Sequence, residues 1–277
     1  MKINVIGAGS WGITIATYLS SLGNKITVYH TNSTDSINLK TTYYHKKLNN
    51  VKIPKNISFK SIRGGINIYD LTFIAVPTHA IKDALKSFIF NNSDFVILSK
   101  GFDLETGLLP IDNLKSIIDT NSSKIAVLSG PNHAEEIIIN KPTTTIVSSL
   151  DNTFSQKLQL LLSSKTFRVY TSNDIIGVQL GGAVKNVIAV AAGICFGLNL
   201  GDNALASLIT RGMNELLELS TLFHVKTKTL YGLSGLGDLI GTCYSNHSRN
   251  RMLGFYLSKG KSLEDAKKSI GMAIEGI

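Results

Sequence analysis

One ammonium group sits in the most apolar stretch of this 277-residue chain: Lys185, within IIGVQLGGAVKNVIAVAAGICFGLNLG, residues 175–201. Desolvating an unpaired ammonium costs several kcal/mol or drives its pKa down. Such a lysine therefore either reaches water along its stem or serves a pocket that needs the charge. On a helix, Gln179, Gly182, Lys185, Asn186 and Ala189 fall on roughly one face, and Gly181, Gly182 and Ala183 let another body approach closely. In a dry cleft a lysine of this kind can stabilise an oxyanion forming at a carbonyl and hand over a proton. Three further groups could serve the same chemistry. Lys100 follows a strand-like run in LSKG, Asp238 and Thr242 lie in the glycine-rich GLSGLGDLIGTC, and Ser248, Arg249, Asn250 and Arg251 make a donor cluster suited to a phosphate.

The chain start carries a second kind of site. Gly7-Ala8-Gly9-Ser10-Trp11-Gly12 matches G-x-G-x-x-G between a β-like run and a helical one. In that setting the first glycine makes the tight turn and the second lets a pyrophosphate reach the backbone. The third allows close helix–strand packing, and the helix amino terminus offers N–H groups to the phosphates. No Gly-Lys-Ser/Thr follows, which excludes a Walker A loop. The acid expected at the end of the second strand is missing: that place reads VYHTNST, where Thr31, Asn32 and Ser33 can donate to a 2′-phosphate and no arginine clamps one. NAD and NADP both remain open as the cofactor.

Short β-like runs and helical stretches must position these groups. The runs at 2–9, 25–30, 70–77, 94–101, 124–131 and 143–149 predict strands; 11–23, 78–89 and 107–120 predict helices. Residues 31–64 are polar and mixed, with Pro54 breaking any regular element. Strand–helix alternation predicts a mostly parallel sheet covered by helices. Beyond about Ser172 strand signals vanish. The expected architecture is α/β: a Rossmann-type parallel-sheet domain over 1–174, followed by an all-α substrate and catalytic domain over 175–277 that opens with the lysine-bearing segment.

Composition bounds the partners. The chain is 43% hydrophobic and 17% charged, enough apolar material for a folded core. Its formal net charge of +9 is scattered, densest at Lys46-Lys47, and never forms an arginine strip interleaved with aromatics. That pattern argues against nucleic acid and for an anionic small molecule. Cys195 and Cys243 are too few for a disulfide framework and are expected to be reduced; an activated thiol at Cys243 stays open. The six histidines show no metal-ligand pairing. The apolar run after Met1-Lys2 imitates a signal peptide, but its glycines and its switch of period favour strand, turn and helix. No uninterrupted apolar stretch of 18 residues exists, so a cytoplasmic protein without membrane insertion is expected.

With these residues assembled, the chain resembles the bacterial NAD(P)-dependent glycerol-3-phosphate dehydrogenases. The similarity rests on VIGAGSWG, DLTFIAVP, LSKGFDLETG, SGPNHAEE, FRVY, GVQLGGAVKNVIAVAAGI, GDNALASLITRG, GLGDL with TC, SRNR and a final EG, in order along the whole chain. The resemblance implies a fold like that of 6-phosphogluconate dehydrogenase and reduction of dihydroxyacetone phosphate to sn-glycerol 3-phosphate, a precursor of glycerophospholipids. It implies that Lys185 donates and accepts the proton and that Lys100 contacts both substrate and cofactor. By the same match Ser10, Trp11, Ala134, Arg249 and Glu275 touch the nucleotide. Gly130, Asn132, Asp238, Ser248, Arg249 and Asn250 lie near the substrate, with Asn186, Asp238 and Thr242 positioning the lysine.

The chain also departs from that pattern. Asn132 replaces the Ser or Thr usual after Gly-Pro, and the arginine common after the second strand is missing. Cys195-Phe196 stands where Ser-Asp is common. Relatives continue past the position of Ile277, so a carboxyl-terminal truncation is expected. Two other readings stay open. One is a related two-domain dehydrogenase acting on a β-hydroxyacid or ketopantoate; the other is a nucleotide-sensing protein without turnover. A homodimer remains open as the assembly.

Overall fold

The computed structural model describes every residue except 31–32, 46–47, 49–50, 63–65, 69–70, 91–92, 121–122, 272–273 and 277. Its strands are β1 (Lys2–Ile6), β2 (Lys25–His30), β3 (Ser58–Ser61), β4 (Ile66–Ile68), β5 (Leu71–Ile74), β6 (Phe88–Phe90), β7 (Asp94–Ile97), β8 (Ile125–Ser129), β9 (Thr143–Ser149) and β10 (Phe167–Ser172). Among them run helices α1 (Ser10–Ser21), α2 (Ser33–Thr42), α3 (Ile81–Leu85), α4 (Pro110–Lys115), α5 (Ala134–Ile137) and α6 (Asn152–Leu162). After β10 the described elements are all helical, the α-helices being α7 (Ile175–Gly197), α8 (Asp202–Leu222), α9 (Thr227–Leu230), α10 (Asp238–Tyr244), α11 (Arg249–Ser258) and α12 (Leu263–Ile270).

Eight strands form one sheet in the order β10-β9-β8-β7-β5-β1-β2-β3, with every pair parallel except β8 against β9. Both faces are covered, which is why the central strands read as continuous apolar runs rather than alternating ones. Ile3 and Val5 of β1 pack with Ile13, Ile15 and Leu19 of α1 and with Phe154 and Leu158 of α6. Ile6 and Ile74 turn to the other face, against Leu85 of α3, Leu114 of α4, and Ile175 and Val178 at the start of α7. The chain leaves β1 towards β2 and β3 on one side and resumes through β5 on the other. The carboxyl ends of β1 and β5 therefore flank a crevice at the reversal of strand order, where open α/β sheets bind ligands.

A third apolar cluster, including Leu180, Ile188 and Ala192 of α7 with Leu205, Ile209 and Leu216 of α8, holds the helical part together. By composition α7 is long and apolar enough to cross a membrane, yet its most apolar window is 72% buried inside the protein, the setting of a core helix. Helices α7 and α11 cross almost backbone to backbone. A Cβ on Gly193 would collide with the Arg251 carbonyl, and one on Gly254 with the Val190 carbonyl.

Several expectations need correction. The region 31–64 holds a helix, α2, and an edge strand, β3, despite its polarity. The helix expected over 78–89 stops at Leu85. Phe88–Phe90 instead pairs in parallel with Ile66–Ile68, and the Phe88 ring packs edge-on against Tyr29 at 5.2 Å. The aromatic contact overrides the local helical spacing. The strands expected to run through 9, 77, 101 and 131 end earlier, at Ile6, Ile74, Ile97 and Ser129, and leave their glycine- and proline-bearing tails as loops at the crevice.

Candidate active site

Gly7 adopts φ +115°, and a Cβ there would lie 2.8 Å from the Ala75 carbonyl carbon, so only glycine fits this turn. Gly12 packs beneath it, where a Cβ would collide with the Gly7 carbonyl; it shapes the turn without lining the crevice. Among the described residues, a Cβ on Gly9 would meet no atom within 4 Å, which leaves its backbone open to a bound group. No side chain caps α1 and no acid stands in its first turn, so that helix end suits an anion. The cradle therefore fits the pyrophosphate of a dinucleotide.

From this turn a cavity of about 470 Å³ runs to the helical part. Gly7, Gly9, Ser10, Trp11 and Ala134 line one end, and Lys185, Asn186, Asp238, Thr242 and Ser248 line the other. Lys100, Asn132, Arg249, Asn250 and Glu275 complete the predicted residues found in its wall. Gly130 is not in the wall; its carbonyl accepts from Lys100 Nζ at 3.1 Å. Thr31 lies outside the described residues.

At the helical end Lys185 is 7% exposed, which settles its stem as buried rather than reaching for water. Its Nζ donates to Asp238 Oδ1 at 2.5 Å and to Thr242 Oγ1 at 2.9 Å. Lys100 Nζ, from the end of β7, donates to Asp238 Oδ2 at 2.7 Å. One carboxylate thus bridges two ammonium groups from opposite sides of the cleft. Thr242 donates its own proton to the Asp238 backbone carbonyl at 2.6 Å, so its oxygen is oriented to accept from Lys185. Burial lowers the Lys185 pKa to about 8; the Lys100 charge acts the same way and Asp238 opposes both. Burial alone would raise the Asp238 pKa, but the Lys100 and Lys185 ammonium groups reverse this and hold it below the ordinary carboxylate range.

The local fold explains the placement. Asp238 and Thr242 sit one turn apart on α10, preceded by a π-helical turn, Leu233–Gly237, where an irregular glycine-rich loop was expected. A Cβ on Gly181 would lie 2.5 Å from the Ser234 carbonyl, so the small residues beside Lys185 let α7 seat directly on that turn. Asn186, next to Lys185, accepts from Asn250 Nδ2 at 2.9 Å and donates to Glu275 Oε2 at 3.4 Å. The Gly276 amide donates to Asn250 Oδ1 at 3.0 Å, which draws the chain's last described segment over the cleft.

Other residues depart from expectation. Gln179 turns away, its amide oxygen accepting from the Ile111 amide at 3.0 Å. Asn132 is anchored in the wall: its Nδ2 donates to the Thr144 carbonyl at 3.3 Å, and its Oδ1 lies 2.9 Å from the Thr145 hydroxyl. Arg251 leaves the donor cluster; its guanidinium lies 4.2 Å over the Phe196 ring and donates to Asn246 Oδ1 at 2.8 Å. Cys243 is fully buried and its thiol is pushed up to about 12 by burial, so it is a protonated packing group at neutral pH. Sequence reasoning missed the histidines: His30, His45, His133 and His247, four of the chain's six, line the cavity. His133 was visible in SGPNHAEE but has no partner nearby in sequence.

The chain matches two family descriptions, "NAD-dependent glycerol-3-phosphate dehydrogenase N-terminus" over residues 2–155 and "NAD-dependent glycerol-3-phosphate dehydrogenase C-terminus" over residues 174–277. It is 42% identical to a glycerol-3-phosphate dehydrogenase [NAD(P)+] of Fusobacterium nucleatum, with all of this chain and 84% of that one covered. The corresponding protein of Halothermothrix orenii is also 42% identical, with all of this chain and 82% of that one covered. The crystal structure of a glycerol-3-phosphate dehydrogenase from Coxiella burnetii superposes with a TM-score of 0.92 at 35% identity, covering 99% of this chain and 85% of that one.

Proposed function

The chain belongs to the NAD-dependent glycerol-3-phosphate dehydrogenase family, and on that premise we propose that Lys185 is the residue that moves the proton. The reaction is the reduction of dihydroxyacetone phosphate to sn-glycerol 3-phosphate with NADH or NADPH. The nicotinamide, when bound, supplies the hydride to the substrate carbonyl. The observation that carries the proposal is the chain of bonds from Lys185 through Asp238 to Lys100.

An ammonium has three N–H donors. Asp238 and Thr242 take two of those of Lys185, and the third is left for the substrate oxygen. As negative charge grows on that oxygen, the ammonium offsets it and then gives up the proton, leaving a neutral amine. A pKa of about 8 makes that transfer feasible near neutral pH, which an ordinary lysine would resist. Lys100 has a donor left beyond Asp238 and Gly130, which suits it to an anionic or carbonyl oxygen at the sheet edge. Arg249 and Asn250, at the start of α11 with Ser248 as its cap, suit the substrate phosphate. The Gly7–Gly12 turn suits the cofactor pyrophosphate.

The division at residue 174, a homodimeric assembly and a cytoplasmic location belong to the same reading. The burial of α7 within the fold supports a core helix rather than a membrane span. Spectrophotometric assay of the wild-type chain and Lys185→Met, with dihydroxyacetone phosphate and NADH or NADPH separately, tests the proposal. Turnover in the wild type and its loss in the variant are expected. Turnover at the wild-type rate in Lys185→Met overturns the assignment.

A further inference from the structure

The two lysines that share Asp238 come from different parts of the fold. Lys100 follows β7 at the sheet edge, whereas Asp238 and Lys185 belong to α10 and α7. A bridge of this kind works only if α10 keeps its register against the sheet edge to within a fraction of an ångström. The Lys100–Asp238 ion pair crosses that gap, but it shares its carboxylate with Lys185, so its strength changes when Lys185 gives up its proton.

A neutral bond crosses the same gap. His133 stands in the loop after β8, three residues beyond the Gly130 whose carbonyl accepts from Lys100. Its Nε2 lies 3.3 Å from the Gly241 carbonyl, and Gly241 sits on α10 between Asp238 and Thr242. A carbonyl only accepts, so the ring carries its proton on Nε2. The Ser245 amide takes the carbonyl's other lone pair at 3.1 Å. A Cβ on Gly241 would be 3.5 Å from Pro131 Cβ, so the loop and α10 already touch here. The exposed ring of His247, from the loop before α11, covers His133 with the centroids 6.1 Å apart.

We infer that His133 is a positioning residue for the reaction: by donating to the Gly241 carbonyl it holds Asp238 and Thr242, and through them the Lys185 ammonium, in register with Lys100 and Gly130. The inference rests on the reading of Lys185 as the proton-transferring group. Among the described residues, the charged and titratable groups facing the ring are Lys185 of α7, Asp238 of α10, Glu135 of α5 and His247 of the neighbouring loop. Burial, reinforced by the Lys185 charge, holds the His133 pKa below the ordinary imidazole value. The bond is therefore made by a neutral ring and persists through proton transfer at Lys185, whose own charged neighbours are Asp238, Lys100 and Glu275.

The test compares His133→Phe, which keeps a ring but no donor, with His133→Gln, whose amide N–H reaches about as far. The chain's single tryptophan, Trp11, lines the cavity, so quenching of its fluorescence by NADH or NADPH reports folding and cofactor binding separately from turnover. His133→Phe is expected to lower kcat about tenfold and to shift the high-pH limb of kcat, with cofactor affinity kept within about twofold. His133→Gln is expected to recover most of the loss. A wild-type kcat and limb in His133→Phe overturns the inference, and so does a Gln variant no better than the Phe one. If His133→Phe loses cofactor binding, His133→Asn, whose amide stops short of Gly241, replaces it against His133→Gln under the same criteria. Lys185→Met at wild-type turnover removes the premise; Lys185→Met inactive beside a fully active His133→Phe removes only the role of His133.

Discussion

The two ends of the cavity are built from different materials. At the Gly7–Gly12 turn the residues that matter contribute almost no side chain; the site is backbone, held by a positive φ and by packing that a methyl group would disrupt. At the Lys185 end the site is made of ionised side chains buried among apolar helices and held by one shared carboxylate. The first kind recognises a shape common to all dinucleotides and tolerates changes of pH. The second tunes one proton and is sensitive to any charge placed beside it. Binding and chemistry should therefore separate under mutation.

The sharpest separation is expected from Lys185→Met. Its kcat should fall on the order of a thousandfold, while cofactor quenching of Trp11 stays near wild type. Arginine should not restore activity, because a guanidinium keeps its proton. A parallel loss of cofactor binding would merge the two ends. Gly9→Ala should act the other way: cofactor affinity should weaken about tenfold, while the melting temperature holds because the added Cβ meets no described protein atom within 4 Å. Equal losses in stability and affinity would contradict that.

The pH profile sharpens the comparison further. Lys185 must be protonated to act in reduction and neutral to accept in oxidation. With a pKa of about 8, kcat/KM for reduction should decline above that pH and kcat/KM for oxidation below it, each about tenfold per pH unit, while cofactor binding stays flat across the range. Profiles with the same sign in both directions would exclude Lys185 as the titrating group. The smallest effects distinguish two neighbouring arginines. Arg249→Ala should raise KM for the phosphate substrate about tenfold. Arg251→Ala should leave KM alone and cost about 1 kcal/mol in denaturant unfolding through its lost stacking on Phe196.

The two ends also differed in how far they could be read in advance. The glycine turn was legible because its requirements are local: residue types at fixed spacing between a strand and a helix. Lys185 was legible because a charge in an apolar helix is conspicuous. Its partnership with Asp238, and that of Asp238 with Lys100, spans 53 and 138 residues, and nothing short-range announces such bonds. His133 was missed for the same reason, since Gly241 lies 108 residues away. Arg251 was misplaced because residues two apart on a helix point to nearly opposite sides, and the start of α11 was not located. Helix α2 and strand β3 escaped notice because a polar edge segment takes its structure from its neighbours rather than from its own periodicity.

The dense crossing of α7 with α11 has a consequence for how the chain is made. Synthesis completes α7 at Gly197, but the Arg251 and Ser258 groups that seat on Gly193 and Gly197 come more than fifty residues later. Until then a greasy cylinder fit for a bilayer has one flank bare, in the interval when nascent chains stick to each other or recruit chaperones. Ribosome-bound chains halted between α8 and α11 should be the most prone to aggregate.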